Sequence, residues 1–174
     1  MIDGYTLDPV TGAGGAGIVL VNAAVVSTNN TVFFNKITAS VPAGSFSSFV
    51  TQINIPFAGV LAQAQDGLLA TNNHISITQG PAATGAAAAI LVSDELSPTA
   101  VDLTSVNSVI VNNDGRGSNY SVVITLDLGG GTGNTVNTTL RGNFGVNSIN
   151  TVTTGVTNRS IRTLVTCDAG GVCP

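Results

Sequence analysis

Apolar and polar positions alternate in short runs along nearly the whole chain. Residues 120–128 read YSVVITLDL, and a period of two marks a strand with one buried face. Residues 17–27 carry the run IVLVNAAVV, the pattern of a strand buried on both faces. Residues 31–41 alternate Val, Phe and Ile with polar positions, 46–57 contain FVTQINIPF, 74–78 read HISIT and 86–93 read AAAAILVS. Segments 101–111, 135–140, 146–157 and 161–167 complete about ten short strands, separated by Gly, Asn and Pro at roughly 10–15-residue spacing. This pattern predicts an all-β fold: a single antiparallel β-sandwich, jelly-roll or Ig-like, with an extended N-terminal arm. Residues 58–71, AGVLAQAQDGLLAT, have the composition of one or two helical turns interrupted at Gly67. Residues 82–89 read as a loop entering a strand.

The ends depart from this pattern and divide the chain into an arm and hinge (1–17), a sandwich domain (18–166) and a tail (167–174). Tyr5, Leu7 and Val10 are the arm's expected inserted side chains, followed by Gly12, Gly14, Gly15 and Gly17. Glycine has the widest backbone freedom, so GAGGAG reads as a hinge. An extended segment of residues 1–11 reaches roughly 36 Å, enough to add a strand to the open sheet edge of another molecule. The tail, TCDAGGVCP, holds Cys167 and Cys173, the only cysteines. With no metal partner nearby they are expected to form a disulfide, within or between chains, and an oxidising destination. A loop closed within the chain contributes about 2 kcal/mol on chain-entropy grounds.

Charge narrows the function classes. Only 8% of the 174 residues are charged, with nine acids and five bases giving a net charge of −4. Five scattered bases cannot build the basic stripe that nucleic-acid binding requires. No apolar run reaches the roughly 18 residues of a membrane-spanning helix. One His, one Lys and one Glu leave little for acid–base, nucleophilic or metal catalysis. The expectation is therefore no enzyme, no cofactor, no metal, no nucleic acid and no membrane insertion. Thr, Asn, Ser and Gly take the place of charge, and such a surface tolerates close contact with copies of itself. The opening MIDGYTLDPV lacks the basic n-region of a secretion signal, so a signal has been removed or the protein leaves by lysis.

Local motifs read mostly as turns. Residues 127–133, DLGGGTG, resemble the phosphate-contacting turn of the actin and heat-shock ATPase superfamily over seven residues, but a second phosphate loop and magnesium-binding acids are missing. A Gly-rich hairpin turn is the better reading. Residues 112–119, NNDGRGSN, have oxygen ligands but not the spacing or terminal Glu of a calcium loop, and read as a tight turn. Asp94–Glu95 reads as a solvated loop, Lys36 as an edge-strand lysine, and His74 as a turn residue opening a strand. Asn29, Asn119, Asn137 and Asn158 head N-x-S/T sequons, which matter where the organism glycosylates.

Residues 88–98, AAILVSDELSP, and 146–158, VNSINTVTTGVTN, resemble paired strand signatures of an Ig-like repeat of bacterial and archaeal surface proteins, over residues 74–158. The resemblance implies a β-sandwich in a surface structure and transfers no functional residue. Together these features predict a structural, self-assembling subunit of an extracellular filament, spore appendage or particle shell, joined by sheet-edge pairing through the arm. The alternative is a glycan- or receptor-binding module of a phage or cell-surface fibre. Copies of itself are the expected partners, with glycans as further candidates, and the expected location is extracellular or on a particle surface.

Overall fold

The computed structural model describes residues 2–6, 12, 14–22, 25–49, 54–93, 95–96, 101–102, 105–126, 135–136, 138–151 and 164–166. After β1 (Ile2–Thr6), the chain winds through coils of short strands. The first coil holds β2 (Gly15–Leu20), β3 (Ser27–Thr28), β4 (Thr31–Phe33) and β5 (Lys36–Val41). The second holds β6 (Phe57–Ala62), β7 (Gln65–Asp66), β8 (Leu69–Thr71) and β9 (His74–Gln79). The third starts with β10 (Ala87–Val92). After a small antiparallel pair, β11 (Glu95–Leu96) with β12 (Val101–Asp102), it continues as β13 (Ser105–Val106) and β14 (Val109–Val111). Then come β15 (Tyr120–Leu126), β16 (Thr135–Val136), β17 (Thr139–Arg141), β18 (Asn147–Thr151) and β19 (Leu164–Thr166).

Strands adjacent in sequence do not pair with each other, the β11–β12 hairpin aside. Each pairs with the equivalent strand one coil away, in parallel. The resulting sheets run β18-β15-β10-β6-β2, β16-β13-β7-β3, β19-β17-β14-β8-β4 and β1-β5-β9. This is a parallel β-solenoid, in which each coil buries its inner face against the next. It replaces the expected antiparallel sandwich, whether jelly-roll or Ig-like. The segments that suggested an Ig-like pair, at β10 and β18, instead flank β15 in one parallel sheet.

The corners explain the topology. The turn between the β3/β7/β13 and β4/β8/β14 sheets is made by one left-handed residue per coil, Asn29 (φ 55°), Gly67 (φ 74°) and Asn107 (φ 55°). The next corner repeats the device at Phe34 (φ 51°), Asn72 (φ 55°), Asn112 (φ 55°) and Gly142 (φ 61°). Asn and Gly reach this region at the lowest cost. A single such residue redirects the chain into the next sheet rather than reversing it, so no hairpin forms there.

The interior is a set of aliphatic stacks. Val32, Ala70, Ile110 and Leu140 lie in register across four coils, and Ile37 stacks on Ile75; all are buried. The coil is narrow where β9 approaches the β6/β10 sheet, and only small residues fit there. A Cβ on Gly59 would collide with Ile75 Cγ2 and stand 2.6 Å from the Ala89 carbonyl oxygen. A second apolar cluster, including Ala58, Leu61, Ala88, Leu91 and Val123, is joined by Ile55 and Phe49 from the 42–56 excursion.

Several local expectations are corrected. Residues 58–71 form β6, β7 and β8 rather than helical turns. Ala and Leu there fill the coil interior, and buried Gln65 donates to the Leu20 and Gln63 carbonyls. In the 46–57 run, residues 46–49 and 54–56 belong to none of the strands, 50–53 lie outside the described residues, and β6 begins at Phe57. The 17–27 run is not buried on both faces, since Val19 is 58% and Val25 62% exposed. Lys36 is not on an edge strand, because β5 lies between β1 and β9.

Candidate functional site

A polar ladder holds the coils in register. The residues following the second row of left-handed corners are Asn35, Asn73, Asn113 and Asn143, the last three buried. The Oδ1 of Asn73 accepts from the backbone N–H and Nδ2 of Asn35, both at 3.0 Å. Asn113 Oδ1 accepts the same pair from Asn73, at 3.0 and 2.8 Å, and Asn143 Oδ1 accepts it from Asn113, at 3.1 and 2.9 Å. Each Nδ2 also donates back to a carbonyl of the preceding coil: Asn73 to Val32, Asn113 to Ala70 and Asn143 to Ile110. The ladder therefore has a direction. Asn35, in the first coil, is the one member whose Oδ1 accepts no hydrogen bond among the described residues.

That open acceptor lies at an open end of the solenoid. Strands β2, β3 and β4 are terminal in their sheets, so their outer edges are unpaired among the described residues, while β1 covers the edge of β5. Among the described residues, six of the eight exposed large hydrophobics fall in this coil: Val19, Val21, Val25, Val26, Phe33 and Phe34. Phe34 is 75% exposed and meets Phe33 edge to face at 5.8 Å. It occupies the left-handed corner that Asn72, Asn112 and Gly142 fill in later coils. A bulky side chain at positive φ costs on the order of 1 kcal/mol or more, and solvent exposure returns nothing for it.

The ionisable residues gather elsewhere, on the β5/β9 face. Lys36 and His74 are adjacent in register, and bridges continue the row to Asp114 and Phe144. Arg116 clamps Asp114 with Nε on Oδ1 at 2.9 Å and Nη2 on Oδ2 at 2.8 Å, and lies 5.5 Å from the centre of the Phe144 ring. His74 Nδ1 stands 3.3 Å from Asp114 Oδ2. The hydrogen bonds from Arg116 lower the Asp114 pKa to about 2, against an opposing desolvation. No group of three or more His, Cys, Asp or Glu suited to a metal occurs among the described residues.

The residues singled out by sequence are scattered. Tyr5 lies in β1, opposite Ala39 of the same chain. Leu7 and Val10 fall outside the described residues, as do Cys167, Cys173, Asn137, Asn158, Asp94 and residues 127–133. Gly15 and Gly17 are inside β2, and Gly12 accepts a hydrogen bond from Ser47 N–H at 2.7 Å. Asn29 is an exposed corner residue, and the Oδ1 of exposed Asn119 accepts from Ala87 N–H at 2.8 Å. His74 does open a strand. The 112–119 segment supplies a corner, a ladder rung and a turn closed by Ser118 N–H to Gly115 O at 2.9 Å.

The ladder and the open coil were missed. Their signal is a ten-residue repeat: STNNTVFFNK at 27–36, QDGLLATNNH at 65–74, SVNSVIVNND at 105–114 and TVNTTLRGNF at 135–144. Asn occupies the ninth position of every block, at Asn35, Asn73, Asn113 and Asn143. Comparison with family models, with curated proteins and with solved structures finds no match.

Proposed function

We propose that the chain is a structural subunit of an extracellular filament, spore appendage or particle shell that associates with copies of itself through its sheet edges. The observation that carries this reading is the first coil. There, three strand edges and an Asn35 Oδ1 without partners among the described residues coincide with the exposed Val19, Val25, Phe33 and Phe34. Unpaired edges template further strands, and the near absence of charge removes the usual barrier to such pairing. Because β1 already covers β5, the joint falls to β2, β3 and β4 rather than to the arm.

Negative-stain electron microscopy of the purified protein, with and without reductant, tests this. Regular filaments or shells are expected, and their response to reductant reports whether Cys167 and Cys173 link subunits. Phe34→Asn installs the residue that later coils use at this corner, so it should raise stability by about 1 kcal/mol while weakening assembly. Dispersed monomers under all conditions, or full assembly by this variant, would overturn the reading.

A further inference from the structure

We infer that the cleft between the end of β9 and the 116–119 turn binds a sugar that carries a carboxylate. This inference deepens the alternative function, a glycan-binding module, and does not depend on self-assembly. The cleft has a volume of about 490 Å³, within the roughly 300–1,000 Å³ range of small-molecule sites. Its polar walls come from Thr78, Gln79, Arg116, Ser118 and Asn119.

Four of these side chains are held by one part of their polar group and present the other part. Gln79 Nε2 donates to the Gly85 carbonyl at 2.8 Å, which leaves Oε1 as an acceptor. Ser118 Oγ accepts from Ile77 N–H at 3.1 Å, which leaves its O–H as a donor. Asn119 Oδ1 accepts from Ala87 N–H at 2.8 Å, which leaves Nδ2. Arg116 spends Nε and Nη2 on Asp114, which leaves Nη1. Polar groups fixed in advance in this way lose little freedom on binding.

The remaining groups define the ligand. Donors and an acceptor on facing walls suit hydroxyls, which do both. A bare inorganic anion would have no use for the Gln79 acceptor. Among the described residues lining the cleft, Arg116 is the only charged one, and guanidinium is suited to carboxylate. Lys36 lies in the same row beyond His74 and Asp114, so Lys36 and Arg116 outnumber Asp114 along this row on a chain of net charge −4.

Isothermal titration of the full chain with digalacturonate and with sialyllactose, each against its uncharged counterpart, tests the inference. The two acids separate uronic from sialic sugars as the source of the carboxylate. Saturable binding of at least one acid, at least tenfold tighter than its neutral counterpart, is expected. Arg116→Gln should lower that affinity at least tenfold, and Arg141→Gln, on another sheet, should not. Asn119→Asp keeps the acceptor for Ala87 N–H but places a carboxylate in the cleft, so it should reject the acid while the fold, followed by circular dichroism, is unchanged. Absence of saturable binding to both acids, or binding indifferent to Arg116→Gln and Asn119→Asp, would overturn the inference. Electron microscopy of the same samples reports assembly separately, so failure of either reading is distinguishable from failure of the other.

Discussion

Asn113→Asp changes one atom type at the middle of the ladder with almost no change of shape. Asn113 Nδ2 donates to the carbonyls of Ala70 and Val111, at 3.0 and 3.1 Å, and to Asn143 Oδ1 at 2.9 Å. An aspartate turns that donor into an acceptor facing three oxygens, at a residue that is 1% exposed. Val111 O keeps a bond from Asn72 N–H, Asn143 Oδ1 keeps one from Asn113 N–H, and Ala70 O stays in the parallel β8–β14 ladder, so the new carboxylate bears most of the loss. Each buried unsatisfied group costs about 1–3 kcal/mol, and more when it is charged, which gives about 4 kcal/mol at neutral pH. That is a large share of a typical folding free energy of roughly 5–15 kcal/mol. Burial and the facing oxygens raise the folded pKa of the new carboxyl above its unfolded value near 4. The sign follows from linkage: the deficit is smallest below the unfolded pKa and grows as pH rises through the folded one. Urea unfolding of both proteins from pH 3.5 to 8 measures it. Asn35→Asp, at the less buried end, should cost less. A loss below 1 kcal/mol at pH 7, or a deficit that does not shrink towards acid, would refute a fully buried, directional ladder.

Gly59→Ala should destabilise by about 2 kcal/mol in urea melts, because the added methyl has no room against Ile75 and the Ala89 carbonyl. Ser121→Ala should be neutral or gain up to about 1 kcal/mol, since Ser121 Oγ is buried without a hydrogen-bond partner; Ser93→Ala should lose about 1 kcal/mol, since Ser93 Oγ accepts from Thr125 at 2.8 Å. Asp114→Asn should lose about 1 kcal/mol at pH 7, the scale of a partly exposed ion pair. Its folded pKa is depressed to about 2, so this contribution is present above the unfolded pKa and disappears as pH falls through about 2. Thermal melts of wild type and variant should therefore converge in acid and stay apart above about pH 4.

Strand content was legible in the sequence, and pairing was not. The segments at β9, β10 and β15 stand where the apolar pattern put them, because apolar runs and a period of two mark a strand whether its neighbours run parallel or antiparallel; β10 and residues 121–125 of β15 are in fact buried on both faces. The distinguishing signal sits at the corners. Asn29, Asn72, Asn107 and Asn112 look like ordinary turn residues, yet each is a single left-handed residue between strands that continue into different sheets. Strands of two or three residues such as β13 and β14 are too short to show alternation, so 101–111 read as one strand. The repeat was masked because the excursion at 42–56 and the β11–β12 hairpin make the coils unequal in length. The Ala- and Gln-rich stretch at 58–71 misled for a different reason. Helix propensity is a weak prior, and stacking inside a narrow coil favours small residues there as much as a helix would. Within the candidate sites, His74 and Arg116 were visible as residues, but their convergence on Asp114 depends on strands about one coil apart.

The direction of the ladder constrains what an assembly can be. Every strand in the four main sheets is parallel to its neighbours, and every ladder Oδ1 faces the coil before it. A copy extending the first coil by the same pairing must therefore present its own far end. Two first coils facing each other would oppose Asn35 acceptor to Asn35 acceptor and run β2, β3 and β4 antiparallel to their mates. The favoured contact is head to tail, between different surfaces of identical chains, and such a contact closes into a ring or propagates as a filament. Of a filament, an appendage and a shell, the linear forms are the ones such a contact builds by itself when it does not close.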